Sequence, residues 1–163
     1  MNSKLLKAIK LRENGFYEQC YQEMTELAKN FPDDPEILYQ CAWSCDSLGK
    51  EAEAIPYYES AIKLGLSGKE LEGAYLGLGS TFRTLGNYVQ SKAVLEVGMN
   101  LFPQNQALKV FYTMTLYNLN EHDKAMETLL SCLMENTANE DILAYKNAIQ
   151  FYANKLDQIW VGE

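Results

Sequence analysis

A chain of 163 residues is long enough for one domain with a full core, and 47% apolar residues with 12% aromatics argue against disorder. Lys and Arg total 14 against 22 Asp and Glu, a net charge of −8, with no basic run, which argues against nucleic acid or an anionic membrane as the main partner. No apolar run approaches the ~18 residues of a membrane-spanning helix, and MNSKLLKAIKLREN is charged every few residues without the apolar stretch of a signal peptide; a cytoplasmic location is expected.

Taken in order, the chain reads as successive helix pairs. A first unit, about 1–34, places Ala8 and Leu11 on one helix, Gly15 at the turn, Cys20, Met24 and Leu27 on a second helix, and Pro32 at its end. A second unit, about 35–71, repeats the spacing with Leu38, Cys41, Ala42 and Cys45, then Gly49, then Ala54, Tyr58 and Ala61. Pro56 lies in its second helix and is harmless only in a first turn, so that helix is expected to start near Ala52. The third unit, about 72–105, carries Tyr75, Leu78, Gly79 and Phe82, then Gly86, then Tyr88, Ser91, Leu95 and Gly98, and closes on Pro103. Asn87 stands where it can cap the second helix of this unit. The fourth, about 106–138, has Tyr112, Thr113 and Leu116, Asn120 at the turn, and Ala125, Leu129 and Cys132. Gly15, Gly49, Gly86 and Asn120 follow one another at intervals of 34, 37 and 34 residues, and these residue types suit a left-handed helix end. The extra three residues fall in LGLSGKE, read as a Gly/Ser loop between the second and third units. Lys4 and Lys109 hold positions where a large apolar residue is expected. Beyond the fourth unit, Ile142, Tyr145, Ile149, Tyr152, Leu156 and Trp160 recur in steps of three and four, which predicts one continuous helix over about 140–160 that caps the open end.

The unit EGAYLGLGSTFRTLGNYVQSKAVLEVGMNLFPQN, with its aromatic–Leu–Gly–aromatic first helix and closing Pro, resembles a tetratricopeptide repeat. Within that superfamily, AWSCDSLGKEAEAIPYYESAIKLGL is similar to a small bacterial group without assigned chemistry. The resemblance implies an all-α fold, a right-handed solenoid of four helix pairs plus a capping helix. It also implies that the first helices of the pairs line a groove. On that geometry the groove rows are Leu5, Tyr39, Leu76 and Val110; Leu6, Gln40, Gly77 and Phe111; Ile9, Trp43, Ser80 and Met114; and Arg12, Asp46, Arg83 and Tyr117. The candidate partner-binding residues are Tyr39, Trp43, Asp46, Leu76, Gly77, Ser80, Arg83, Phe111, Met114 and Tyr117. Gly73, Gly77 and Ser80 are small and suggest a hollow between Tyr39 and Trp43 on one side and Phe111 and Met114 on the other. Asp46 stands between Arg12 and Arg83 in register, either as an ion trio holding the curvature or as a charged rim for a peptide. The apolar rows also suit burial beneath the segment around Ile159 and Trp160.

Family co-chaperones that clamp a peptide carboxylate use Lys, Asn and Arg where this chain has Leu5, Ile9, Gln40, Gly73 and Gly77, so the clamp is not carried over. The four cysteines fall on core or small-residue slots and lack the CxxC spacing of zinc or redox sites, and the one histidine, His122, has no partner cluster. GLGST at 77–81 falls mid-helix and reads as packing, not phosphate binding. No catalytic residue, metal or cofactor is expected. The expected partner is another protein or a peptide; the alternatives are a homodimer through the first helix or the groove and, behind it, a small-molecule or enzymatic role needing a ligand in the hollow.

Overall fold

The computed structural model describes residues 2–160, and these form ten helices and no strand. Eight of them pair in chain order: α1 (Asn2–Glu13) with α2 (Tyr17–Asn30), α3 (Pro35–Asp46) with α4 (Glu51–Lys63), α5 (Gly68–Thr84) with α6 (Tyr88–Leu101), and α7 (Gln106–Asn118) with α8 (His122–Asn136). Two short helices follow, α9 (Glu140–Ala144) and α10 (Lys146–Tyr152). The chain is an α-solenoid. From the second pair on, the first helix of each pair packs against both helices of the pair before it: α3 on α1 and α2, α5 on α3 and α4, α7 on α5 and α6.

The turns inside the pairs are set by backbone chemistry. Gly15, Gly49 and Gly86 have φ of +80°, +68° and +78°, and Asn120 has +61°, the one described non-glycine residue at positive φ. A left-handed residue at this point lets the chain reverse and its N–H reach back to the last helical carbonyls. Between pairs, Asp34 and Asn105 cap α3 and α7, each accepting from two backbone N–H groups of the first turn. Asn87 occupies the N-cap position of α6 but its side chain makes no capping bond, contrary to the sequence expectation.

Three other local expectations are corrected. The 64–70 stretch is not a loop throughout, because α5 begins at Gly68. α4 starts at Glu51, beside the expected Ala52, but Pro56 then lies in its second turn; the carbonyl of Ala52 loses a helical donor, and both residues are exposed. Lys109 is explained by an ion pair, its Nζ 2.6 Å from Glu135 Oε2.

The core is a column of small and medium residues where helices cross. Ala8, Ala42, Cys20, Ala54, Ser91 and Ala61 have no exposed surface. Met24 and Leu95 are likewise fully buried, and Tyr58 is 2% exposed. Small residues at the crossings let the helix axes approach, and the larger ones fill the space between pairs.

The C-terminal cap is the largest departure. The continuous helix expected over 140–160 is broken at Tyr145, and the described residues past Tyr152 form no helix. Tyr145, Tyr152, Leu156 and Trp160 are all exposed, while Ile142 and Ile149 are half-buried. The physical reason lies in α8. Met134 is 4% exposed, whereas its counterparts Lys29, Lys63 and Asn100 lie on the surface. The break at Tyr145 separates α9 from α10, and α10 packs on α8, the helix whose outer methionine is buried, where a straight helix was expected on the end of the solenoid.

Candidate functional site: the face of the first helices

The groove rows of α3, α5 and α7 separate into exposed, half-buried and buried members. Trp43, Met114 and Tyr117 are exposed; Asp46, Leu76, Gly77, Ser80, Arg83 and Phe111 are half-buried; Tyr39 is buried. In α1 and α3, Leu5 and Gln40 are also buried, so the face is not uniformly open.

The hollow expected over the glycines of α5 is filled. A Cβ on Gly73 would lie 3.0 Å from Tyr39 Cζ, and one on Gly77 would lie 2.6 Å from Tyr58 Cζ. Tyr39 thus turns inward onto α5, and Tyr58 reaches the same helix from α4. The two rings also touch each other, with centroids 6.2 Å apart. Their phenols are pushed above the ordinary tyrosine range, Tyr39 by burial and Tyr58 by burial and the neighbouring Asp46 carboxylate.

The ion trio does not form either. Asp46 accepts from the Tyr58 hydroxyl at 2.8 Å and from Thr81 Oγ1 at 3.0 and 3.1 Å, and neither arginine reaches it. Burial raises the Asp46 carboxyl above its usual value, and the two hydroxyl donors oppose that shift. Arg12 instead stacks on Trp43, its Cζ 3.6 Å from the ring centroid, and burial lowers its pKa. Arg83 lies near α7, where its Nη1 donates to Asn118 Oδ1 at 3.5 Å. The register placed the three residues on one line; hydroxyls from α4 and α5 met the carboxylate first.

Two local arrangements remain. In one, Trp43 is 44% exposed yet held from two sides, by the Arg12 guanidinium and by Tyr39, whose ring centroid is 6.0 Å away. In the other, Arg83, Met114 and Tyr117 come together with Asn118, His122, Met126 and Leu129 around a mostly apolar depression of about 520 Å³. The rings of Tyr117 and His122 are 4.9 Å apart. The contribution of α8 to this depression was missed in the sequence. Its signal was available: Leu129 holds the slot of Met24, Tyr58 and Leu95.

All four cysteines are free and buried. Burial pushes the Cys20 thiol up, and Cys45 is pushed up by the neighbouring Cys41 thiol and by burial. Among the described residues no helix is long and apolar enough to cross a membrane.

Comparison with solved structures gives the same architecture. A MamA RS-1 ArsTM double mutant superposes with a TM-score of 0.71 at 14% identity, covering 96% of each chain. MamA 41-end from Desulfovibrio magneticus RS-1 gives 0.70 at 18% identity, over 93% of this chain and 88% of that one. YrrB, described as a TPR protein with an unusual peptide-binding site, gives 0.71 at 15% identity, over 95% and 77%. At these identities the likeness is one of fold. No curated protein matches the chain by sequence. A family model for the tetratrico peptide repeat matches residues 35–156, from the start of α3 through α10. With its helix pairs, its left-handed turn residues and that match, the chain belongs to the tetratricopeptide repeat family.

Proposed function

We propose that the chain is a protein–protein interaction module that holds a peptide or helix of another protein against the exposed face of α3, α5 and α7. The observation that carries this reading is Trp43. A large aromatic, 44% exposed and fixed between Arg12 and Tyr39, loses little conformational freedom when a partner covers its open surface. Leu76, Ser80 and Phe111 continue the surface toward Met114 and Tyr117. The peptide-binding site in the description of YrrB supports the class of function. The reading is of a scaffold, not an enzyme, and the four free, buried thiols suit a reducing compartment such as the cytoplasm.

The test is a pull-down from native lysate followed by titration of the captured protein against variants. Trp43→Ala is expected to keep the helical signal and weaken binding at least tenfold, and Ser80→Arg to block it by bulk and charge. Unchanged affinity in both would remove the surface from consideration.

A further inference from the structure

We infer that the segment held on the groove face is acidic, and that its carboxylates pair with Arg83 and Arg12 while its apolar side chains cover the depression on α7 and α8 and the open surface of Trp43. This rests on the proposed groove and adds the chemistry of the partner. The chain has only two arginines against 22 Asp and Glu, and Arg12 and Arg83 hold the same register slot in the first and third units. Among the described residues six ion pairs form, and a lysine supplies the cation in every one. Neither arginine has a carboxylate partner among them. Arg12 Nη1 and Arg83 Nε are buried without an acceptor, and the one side-chain bond that either guanidinium donates is the 3.5 Å contact of Arg83 Nη1 with Asn118. A guanidinium keeps its proton when buried, so its charge stays in place, and its planar fork of donors matches a carboxylate. Asp46 is the only carboxylate in the four groove rows, and its oxygens are taken by Tyr58 and Thr81.

Each arginine stands beside open apolar surface. Arg12 lies over the ring of the exposed Trp43. Arg83 lines the depression with Met114, Tyr117, Met126 and Leu129, all exposed, and no carboxylate lines it. The same juxtaposition thus occurs twice on one face: a cation without a counter-charge and a large apolar side chain without a cover. The four rows carry two cations and one carboxylate, so this face departs from the net charge of −8 of the whole chain. A basic or wholly apolar segment laid here would desolvate both cations and leave them unpaired, which is costly. A segment with Asp or Glu next to Leu, Met or aromatic residues satisfies the cations and the apolar surface together. α1, α3 and α5 stack at about 10 Å per step, which sets the arginines roughly 20 Å apart, on the order of six residues of extended chain, so a peptide of about twelve residues spans both.

A phage-displayed library of random peptides of that length, selected on the purified chain, tests this. Selected peptides are expected to be enriched in Asp and Glu beside Leu, Met or aromatic residues, and to bind Trp43→Ala more weakly. In the tightest of them each acidic residue is then replaced in turn by its amide. One such change is expected to weaken binding to wild type at least tenfold yet alter binding to Arg83→Gln less than twofold, and a second to depend in the same way on Arg12 through Arg12→Gln. Raised salt should weaken the parent peptide more than its amide versions. Should an arginine variant lose its helical signal, the amide series on wild type still decides, because it changes only the peptide; equal affinity of parent and amide peptides overturns the inference. Neutral or basic peptides that depend on Trp43 would overturn the acidic partner and leave the groove standing. Selected peptides indifferent to both Trp43→Ala and Ser80→Arg, or a library that yields no binder, would remove the groove and this inference with it.

Discussion

The Tyr58 ring of α4 covers Gly77 of α5 so closely that a Cβ there would stand 2.6 Å from Tyr58 Cζ and 3.0 Å from Cε1. Glycine inside a helix ordinarily costs about 1 kcal/mol relative to alanine, so Gly→Ala usually stabilises. Here the methyl must displace a buried ring whose hydroxyl donates to Asp46. Gly77→Ala is expected to destabilise by about 1–3 kcal/mol, the range for overpacking. Urea unfolding measures it, and a variant as stable as wild type would show that α4 can yield.

Asp46 should give the chain an unusual pH dependence. Its folded-state pKa is raised above 3.8, so the folded state holds this proton more tightly than the unfolded chain. Stability from this group is therefore lost as pH rises from 3.8 through the raised value. Asp46→Asn removes the ionisation. Its amide can accept from the Tyr58 hydroxyl and donate to Thr81 Oγ1, whose single proton then turns to the Gly77 carbonyl 2.8 Å away. The melting temperature of the variant, minus that of wild type, should rise across this window. A difference that is flat, or falls, would mean the carboxylate is stabilised where it lies.

The cap should matter less than a full terminal helix would. Ending the chain after Asn136 uncovers Met134, a loss of about 1.5–3 kcal/mol for one such side chain, but leaves the surroundings of Leu129 as they are. The truncated chain is expected to stay helical with a moderately lower melting temperature. Complete unfolding would show that residues 137–160 support more than one side chain of α8.

What the sequence disclosed follows from distance along the chain. Helix pairing and turns depend on residues a few places apart, and Gly15, Gly49, Gly86 and Asn120 announced their left-handed backbone directly. Periodicity set Trp43, Met114 and Tyr117 off the core stripe, the family resemblance put them on the groove face, and all three are exposed. Reach across a face was not legible. Tyr58 comes from another helix to fill the space over Gly77, and Thr81 satisfies Asp46 before Arg12 or Arg83 can. The one-sided stripe from Ile142 to Trp160 is real in spacing, yet α10 packs on α8 after a break at Tyr145 that no Gly or Pro in the segment signals.

The positions of the cysteines turn the molecule into a recorder of its own unravelling. In a solenoid each pair is held only by its neighbours, so opening starts at an end and travels inward. Cys132 marks the last pair and is 7% exposed; Cys20 marks the first, and Cys41 and Cys45 sit fully buried in the second, flanked on both sides. Alkylation under native conditions, followed by mass, should therefore be slow and ordered: Cys132 first, Cys20 later, and Cys41 and Cys45 last. Simultaneous labelling of all four would mean that the chain opens as a single cooperative unit. Stepwise labelling would give the fraying free energy of each end without introducing any probe.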